Sequence, residues 1–277
     1  MIKITKENCH PGQICASGQC FRMDPVGEKR YALIASGYYL EIEEVGVQSF
    51  LFSCTREEFE KFWRGYFDMD GDYSACIRAI DPRDSYLMDA ARFGSGIRIL
   101  RQDLWEMIVS FIVSQQNNIR RIKKILELLS QRYGTKMTDL QGKEYYAFPK
   151  PEELAQADED AFRACNLGYR SRYIKNTVNS VLSGEADLEK IKGMCYQEAR
   201  EELMRLSGVG EKVADCICLF ALHHLEAFPV DTHIKKVLKK NYPQGFPFEK
   251  YKGSEGILQQ YIFYYERNAG EELHGPS

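Results

Sequence analysis

The chain has 277 residues, a formal net charge of -3, 44% hydrophobic residues and 28% charged residues. This composition is typical of a folded globular protein, and it excludes a long disordered or low-complexity chain. Nucleic-acid-binding proteins are more often basic overall, whereas this chain has a negative net charge. Any contact with a polyanion therefore has to come from a local basic face.

The cysteine and histidine content bounds the compartment and the metal chemistry. The chain has nine cysteines and five histidines, but no C-x-x-C motif and no histidine spacing typical of zinc. It also has no apolar signal region at its N-terminus and no apolar run of about 18 residues. We therefore expect reduced thiols, a cytoplasmic (intracellular) location, no membrane partner, no metal held by side chains and no required cofactor.

The first third of the chain has a composition that predicts β-strands. β-Branched and aromatic residues recur in three runs, separated by Ser36-Gly37 and by Gly46. Thr55 and Glu58 then form a capping box, which predicts a helix over 56–67. The predicted strands, which we expect to form an antiparallel meander, are Arg30–Ala35, Tyr38–Val45 and Ser49–Cys54.

Gly94-Ser95-Gly96 indicates a boundary between two regions. The predicted fold class is therefore α+β. We expect an N-terminal antiparallel β-sheet domain with flanking helices over residues 1–97, followed by a mainly α-helical region over 98–277. We also expect a monomer.

The helical region opens with a helix from Asp103 that ends in the run Ser114-Gln115-Gln116-Asn117-Asn118. Four amides in a row would be a poor helix interior, but they suit a surface that hydrogen-bonds base edges or phosphates. The next helix carries a basic run, for which a solvated face is the alternative interpretation. The predicted buried face of the first helix is Leu104, Ile108, Phe111 and Ile112. The basic residues of the second are Arg120, Arg121, Lys123 and Lys124.

Two later segments place aromatic residues beside polar ones. Tyr169 and Arg170 follow the turn glycine Gly168. An aromatic ring can wedge into a base stack and an arginine can donate a forked pair of hydrogen bonds, although a core tyrosine is the alternative. Near the C-terminus, an apolar helix contains Gln260 and Tyr264, for which core packing is the plain interpretation.

Gly208 and Gly210 stand one residue apart ahead of an apolar, helix-patterned run from Val213 to Leu222. Glycines allow positive φ and leave backbone N–H groups bare at the positive end of the next helix, where a phosphate can bind. An ordinary helix-start turn is the alternative. Lys212 falls in the first turn, where the helix dipole and burial are expected to lower its pKa and favour a nucleophilic amine. A solvated surface lysine is the alternative.

Asp231 is predicted to cap the following basic helix, from Ile234 to Lys240. A helix of about a dozen residues from Glu211 rises roughly 18 Å, and the extended segment from His224 to Val230 can return about 23 Å. Asp231 can thus lie beside Lys212. A helix-end amine and a helix-end carboxylate next to a phosphate-binding hairpin form a plausible site for attack on a sugar carbon.

These residues together resemble a family signature. The segment from Leu206 to Cys218, closing with Pro229-Val230-Asp231-Thr232-His233, resembles the helix-hairpin-helix, Gly/Pro-rich loop and aspartate motif of the base excision DNA glycosylases. With lysine at position 212 the block is similar to the 8-oxoguanine DNA glycosylase family in particular. The resemblance covers nearly the whole chain and places the motif at about 203–224. Because no cysteine follows Cys218, it implies no iron–sulfur cluster.

The resemblance implies a bifunctional enzyme that extrudes 8-oxoguanine from double-stranded DNA, excises it, and then cleaves the strand by β-elimination. Lys212 would attack the sugar C1′ and form a Schiff base, while Asp231 would stabilise the cationic sugar. One alternative is an alkylated-base glycosylase of the same fold, but such relatives generally lack the lysine, so Lys212 argues against it. The other is a non-catalytic helix-hairpin-helix DNA-binding module.

The resemblance also implies residues that bind the extruded base. Gly18 lies in Gly18-Gln19-Cys20-Phe21-Arg22, which is similar to the family's G-Q-S-F-R stretch, and its carbonyl would accept a hydrogen bond from the N7–H that normal guanine lacks. Cys216 would cover one face of the base and Tyr264 would stack on it. Gln260 would bind the pyrimidine edge.

For DNA, the resemblance implies that Gln116 fills the gap left by the base, that Tyr169 is the wedge, and that Arg121 and Arg170 read the orphaned cytosine. It also implies a monovalent cation at the backbone carbonyls of Leu206 and Val209. The full implied DNA-binding set is Gln116, Asn117, Asn118, Arg121, Tyr169, Arg170, Gly208, Gly210 and His233.

Overall fold

A five-stranded antiparallel sheet dominates the N-terminal region of the computed structural model, which describes residues 1–139 and 142–272. Its strand order is β1-β5-β4-β3-β2, so the predicted meander is confirmed as β3-β4-β5. The two edge strands were not predicted. Pro25 lies in the edge strand β2, where its missing N–H leaves no ladder bond unmade. The strands are β1 (Ile2–Thr5), β2 (Met23–Gly27), β3 (Arg30–Ala35), β4 (Tyr38–Gly46) and β5 (Ser49–Phe52).

The helix predicted over 56–67 is present as one helical segment with a π-helical turn in its middle. Thr55 Oγ1 accepts a hydrogen bond from the Glu58 N–H at 3.1 Å and is the N-cap, whereas the Glu58 carboxylate accepts from the Trp63 indole N–H at 2.7 Å, so only the Thr55 half of the predicted capping box is present. The π turn places both Phe59 and Trp63 in the core beneath the sheet. The parts of the segment are α2 (Arg56–Glu58), the π turn (Phe59–Trp63) and α3 (Arg64–Tyr66).

Helix α6 (Leu104–Ser114) is the centre of the helical region. The four residues of the predicted buried face are buried, and so is every other residue from Leu104 to Val113, so the helix is enclosed all round. Glu106 is among the buried residues of this helix, and its burial raises the pKa of the carboxyl group to about 7. The helix therefore forms a fixed platform for the loop that follows it.

The remaining helices surround α6 and the sheet. Those before it are α1 (Pro11–Ala16), α4 (Tyr73–Arg78) and α5 (Ser85–Phe93). Those after it are α7 (Ile119–Tyr133), α8 (Pro151–Leu154), α9 (Glu159–Ala164), α10 (Arg170–Leu182), α11 (Leu188–Lys192), α12 (Tyr196–Met204), α13 (Glu211–Phe220), α14 (Thr232–Asn241) and α15 (Glu255–Glu272). A hairpin of β6 (Lys136–Thr138) and β7 (Glu144–Tyr146) and a 3₁₀ turn (Phe248–Tyr251) complete the described elements. None of the helices in these ranges has the length and apolarity needed to cross a lipid bilayer.

A buried polar junction joins the two regions. The Arg98 side chain is fully buried and donates to the backbone carbonyls of Phe67 and Gly71 at 3.0 and 2.9 Å. Asp68 accepts from Arg101 at 3.0 Å and lies 3.4 Å from His223 Nε2, which follows α13. The two regions are thus packed together at this point, while the domain boundary at residue 97 stays a prediction.

Candidate active site

The hairpin between α12 and α13 needs glycine at one of its two positions. Gly208 has φ +80°, and a Cβ there would come within 2.5 Å of the Tyr173 ring. Gly210 instead has φ −98° and caps α13, and nothing lies within 4 Å of its would-be Cβ. Gly208 therefore adopts the positive φ that glycine allows, whereas Gly210 does not. Open space beside Gly210 leaves the first N–H groups of α13 bare to a ligand.

Lys212 stands in the first turn of α13 and is half-buried, with its Nζ 5.5 Å from the centroid of the Phe111 ring. Its pKa is raised, chiefly by its interaction with the Cys216 sulfur one helical turn on, which includes a hydrogen bond, and also by the Asp231 carboxylate. Burial acts in the opposite direction but is outweighed. The predicted lowering of the Lys212 pKa is therefore wrong, because the interactions with Cys216 and Asp231 outweigh desolvation.

Asp231 begins α14 as predicted. Its Oδ1 accepts a hydrogen bond from the Ile234 N–H at 2.8 Å, which makes it the N-cap. Asp231 and Lys212 both line an outer cavity of about 800 Å³, and both also line a smaller inner pocket that adjoins it. The outer cavity has the size of a small-molecule binding site. The structure thus brings the amine and the carboxylate to one cavity from the starts of two successive helices.

The inner pocket is where the predicted base-binding residues come together, with one exception. Gly18, at φ +79°, lines it together with Cys216 and Gln260. Gln260 is 3% exposed, and its Oε1 has no hydrogen-bond partner among the described residues. A buried amide oxygen without a partner is costly, so this atom is available to a ligand that donates a hydrogen bond.

Tyr264 was assigned to this pocket, and that assignment is wrong. Its ring packs on Phe93, with centroids 5.3 Å apart, whereas Phe263 lines both the pocket and the cavity. Successive residues of a helix point about 100° apart, so the two rings cannot face the same space. Gln259, four residues before Phe263, also lines the inner pocket. The pairs Gln259/Phe263 and Gln260/Tyr264 have the same spacing, so the sequence pattern offers two aromatic candidates one position apart. The structure selects Phe263.

The amide run lines the outer cavity, but part of it is used to hold the loop itself. Asn118 caps α7 by accepting from the Arg121 N–H at 3.0 Å, and Asn117 Nδ2 donates to the Val113 carbonyl at 3.1 Å. Gln115 Nε2 donates to the Gly208 carbonyl at 2.8 Å and so ties this loop to the hairpin. Gln116 has φ +47° and lines the cavity. The run therefore fixes the rim of the cavity as well as facing it.

The two arginines assigned to DNA differ in their placement. Arg121 is exposed and makes one long contact, with Nη2 3.5 Å from the Asn166 carbonyl. Arg170 is only 3% exposed, and it donates to the backbone carbonyls of Gln115 and Gln116, at 3.1 and 3.2 Å. The donors of Arg170 thus bind the cavity loop in this structure, and its implied role as a reader of the orphaned cytosine stays a prediction.

The remaining predicted DNA-binding residues lie at the surface. Tyr169 is 52% exposed, which is unusual for so large a ring, and its face is covered on one side by the guanidinium of Arg170 at 4.5 Å. His233 is exposed in the first turn of α14 and lines the outer cavity. Its ring centroid lies 6.3 Å from that of Phe263. These positions suit contact with a large ligand that covers the cavity mouth.

Residues 1–139 and 142–272 contain no cluster of three or more His, Cys, Asp or Glu side chains that could hold a metal ion. In the hairpin, the Leu206 carbonyl accepts a hydrogen bond from the Val209 N–H at 3.1 Å. A carbonyl has a second lone pair, so this bond leaves Leu206 able to coordinate a cation.

The hairpin, the lysine and the helix-capping aspartate around one cavity define the class of protein. Residues 109–245 match the model of the HhH-GPD superfamily of base excision DNA repair proteins. Residues 1–108 match the model of the 8-oxoguanine DNA glycosylase N-terminal domain. The two models together account for the sheet and for most of the helical region.

Individual relatives agree with the family models. An N-glycosylase/DNA lyase of Saccharomyces cerevisiae is 39% identical over 158 residues, which are 53% of this chain and 42% of the relative. A probable N-glycosylase/DNA lyase of Methanothermobacter thermautotrophicus is 31% identical over 244 residues, covering 78% of this chain and 76% of the relative. The match thus spans less than half the length of the yeast protein.

A solved structure is similar over almost the whole length of both chains. The 8-oxoguanine glycosylase/lyase of Clostridium acetobutylicum, in complex with double-stranded DNA containing cytosine opposite to 8-oxoG, superposes with a TM-score of 0.89 and 38% identity. The match covers 95% of this chain and 93% of that one. This chain therefore belongs to the 8-oxoguanine DNA glycosylase family.

Proposed function

We propose that this chain is a bifunctional DNA glycosylase and AP (apurinic/apyrimidinic) lyase that excises 8-oxoguanine from double-stranded DNA. The observation that carries the proposal is the meeting of Lys212 and Asp231 at one cavity large enough for a nucleotide. The solved Clostridium acetobutylicum relative, whose DNA contains cytosine opposite to 8-oxoG, supports the choice of substrate.

The substrate has to leave the DNA stack, because the sugar C1′ is out of reach inside a duplex. The extruded base enters the inner pocket, where Cys216 and Phe263 offer surfaces for its faces. The Gly18 carbonyl accepts from the N7–H of the oxidised base. Normal guanine has an acceptor at N7, so two acceptors would face each other unpaired, which disfavours it.

Lys212 is the nucleophile of the proposed reaction. Its raised pKa means that the amine is an ammonium at neutral pH and has to lose a proton before it attacks. Asp231 lies at the same cavity, and its carboxylate assists that transfer and stabilises the cationic sugar. The new bond joins Nζ to C1′, and the bond from C1′ to the base nitrogen breaks, with the base leaving as it takes up a proton.

The strand is then cut from the covalent intermediate. Opening of the sugar gives an imine between Lys212 and C1′, which makes a proton on C2′ acidic. Loss of that proton expels the phosphate on the 3′ side by β-elimination. Hydrolysis of the imine returns the free amine.

The DNA backbone is held by groups around the mouth of the cavity. The bare N–H groups of α13 beside Gly210 suit a phosphate. Lys235 lines the cavity from α14, and Lys236, Lys239 and Lys240 are exposed on the same helix. This local basic face provides the attraction to DNA that the net charge of -3 does not. No cofactor is needed for this chemistry, and a monovalent cation at the Leu206 and Val209 carbonyls would serve only to hold the hairpin.

Borohydride trapping tests the proposal. Wild-type protein should become covalently attached to a duplex with 8-oxoguanine opposite cytosine, because borohydride reduces the imine to a stable amine. Lys212→Gln should give no adduct. Lys192→Gln, which removes a lysine that is paired with Glu189 at the surface, is the matched control and should trap normally.

The same experiment distinguishes the proposed function from each of the two alternatives. An alkylated-base glycosylase would leave the 8-oxoguanine duplex intact and act on alkylated bases instead. A non-catalytic DNA-binding module would bind without any adduct. An adduct that survives the loss of Lys212 would refute the assignment of the nucleophile.

A further inference from the structure

Arg267 is a cationic side chain of the cavity wall that the proposed reaction does not yet use. It lies on α15 one helical turn after Phe263, and its Cζ sits 5.3 Å from the centroid of that ring. A cation–π contact engages the face of a guanidinium, whereas its N–H donors lie in the plane at the rim. The donors of Arg267 are therefore not consumed by Phe263.

The guanidinium is also beside Gly18. A Cβ placed on Gly18 would be 3.2 Å from Arg267 Nη1 and 3.2 Å from Phe263 Cε1. A backbone acceptor and a charged donor thus stand next to each other on one wall. This pair matches any ligand edge on which an N–H and a carbonyl oxygen are neighbours.

The order of residues along the wall gives the orientation. Gly18 and Phe263 line both the inner pocket and the outer cavity, so they lie where the two meet. Gln259 and Gln260 line the inner pocket alone, whereas Arg267 and His233 line the outer cavity alone. Arg267 is therefore on the side of Gly18 that faces away from the two glutamines.

We propose that Arg267 is a specificity-determining residue that donates a hydrogen bond to the C8 oxygen of the extruded 8-oxoguanine. This inference rests on the proposed function, in which Gly18 reads the N7–H. On a purine, C8 is the neighbour of N7 on the side away from the pyrimidine edge, so a donor displaced from Gly18 away from Gln259 and Gln260 faces the C8 substituent. Normal guanine carries only hydrogen there and leaves the guanidinium without an acceptor.

Binding without turnover tests this directly. In the Lys212→Gln background, the affinity for a duplex with 8-oxoguanine is compared with that for the same duplex with guanine. A hydrogen bond from a charged donor corresponds to about 10- to 100-fold in affinity. Arg267→Leu should reduce the preference for 8-oxoguanine by at least about ten-fold and leave binding of the guanine duplex unchanged.

Matched variants make the result specific. Arg78→Gln removes one positive charge at a side chain that is 70% exposed, and it should leave the preference unchanged. Arg267→Lys keeps the charge over Phe263 and loses the planar fork. It should lose at least about three-fold of the preference, and it serves as the test variant if Arg267→Leu fails to fold in a thermal unfolding control.

Each other outcome has a definite meaning. An equal loss of affinity for both duplexes would show a contact with the phosphate backbone and would overturn the inference. An unchanged preference in Arg267→Leu would overturn it too, while leaving the proposed function intact. A Lys212→Gln parent with no preference for 8-oxoguanine would refute the proposed function and the inference together.

Discussion

The two glycines of the hairpin offer a test in which one substitution damages the fold and the other damages ligand binding. Gly208→Ala places a side chain at φ +80° and within 2.5 Å of the Tyr173 ring. The left-handed conformation costs about 1–2 kcal/mol for an L residue, and overpacking adds about 1–3 kcal/mol. We therefore expect a loss of about 2–5 kcal/mol in the free energy of unfolding, which lowers Tm by at least about 4 °C.

Gly210→Ala adds the same methyl group two residues away. The backbone at Gly210 has φ −98°, and the new Cβ meets nothing within 4 Å. Alanine is a poorer N-cap than glycine, but it also reduces the entropy of the unfolded chain, so the two effects offset each other to within about 1 kcal/mol. The methyl group does, however, stand beside the N–H groups that we assign to a phosphate.

The assay measures both variants by thermal unfolding and by fluorescence anisotropy with a duplex that contains an uncleavable abasic analogue. Gly210→Ala should keep the wild-type Tm and bind roughly ten-fold more weakly, corresponding to about 1.4 kcal/mol. Gly208→Ala should show the loss in Tm. Equal Tm values for Gly208→Ala and wild type would refute the steric reasoning, and unchanged DNA affinity in Gly210→Ala would refute the phosphate site.

Three further predictions follow from the site and the junction. Because the pKa of Lys212 is raised, borohydride trapping on abasic DNA should accelerate about ten-fold per pH unit from pH 6 to pH 9, and a plateau below pH 8 would contradict this. Phe263→Ala should slow single-turnover excision by at least about ten-fold, whereas Tyr264→Ala should slow it less, since only the first ring lines the pocket. Burial raises the pKa of the Asp68 carboxyl, but the interactions with His223 and Arg101 lower it by a larger amount. The net pKa of Asp68 is therefore below the ordinary 3.8. The stability from Asp68 is therefore complete above pH 3.8 and lost as the pH falls through the folded value. Asp68→Asn should cost about 3–5 kcal/mol near neutral pH in denaturant unfolding, and a cost that persists unchanged at pH 2 would contradict the linkage.

The helix starts of the site could be predicted because their signals are local. Asp231 caps α14 with its own carboxylate, and Gly210 precedes α13 directly. N-capping depends on the bond between one side chain and a backbone N–H three residues later, so the sequence alone carries it. The alternation of side chains between the two faces of strands β3, β4 and β5 is a local pattern in the same way.

The wall of the base pocket could not be fixed from the sequence to the residue. Gln259, Gln260, Phe263 and Tyr264 are all compatible with an apolar helix, and a shift of one position rotates the chosen face by about 100°. Packing of Tyr264 on Phe93, a residue of the N-terminal region, selects the rotation. That contact is long-range, and no local pattern reports it.

The sequence by itself determined which chemical groups this protein has and which helices they begin: an amine at Lys212, a carboxylate at Asp231 and a glycine hairpin ahead of them. Only the tertiary structure decided the state of those groups. The contribution of Asp231 to the pKa of Lys212, the burial of Arg170 against the cavity loop and the position of Arg267 beside Gly18 all depend on neighbours outside the local helix. Electrostatic and steric effects act through space, so they are set when the chain has folded.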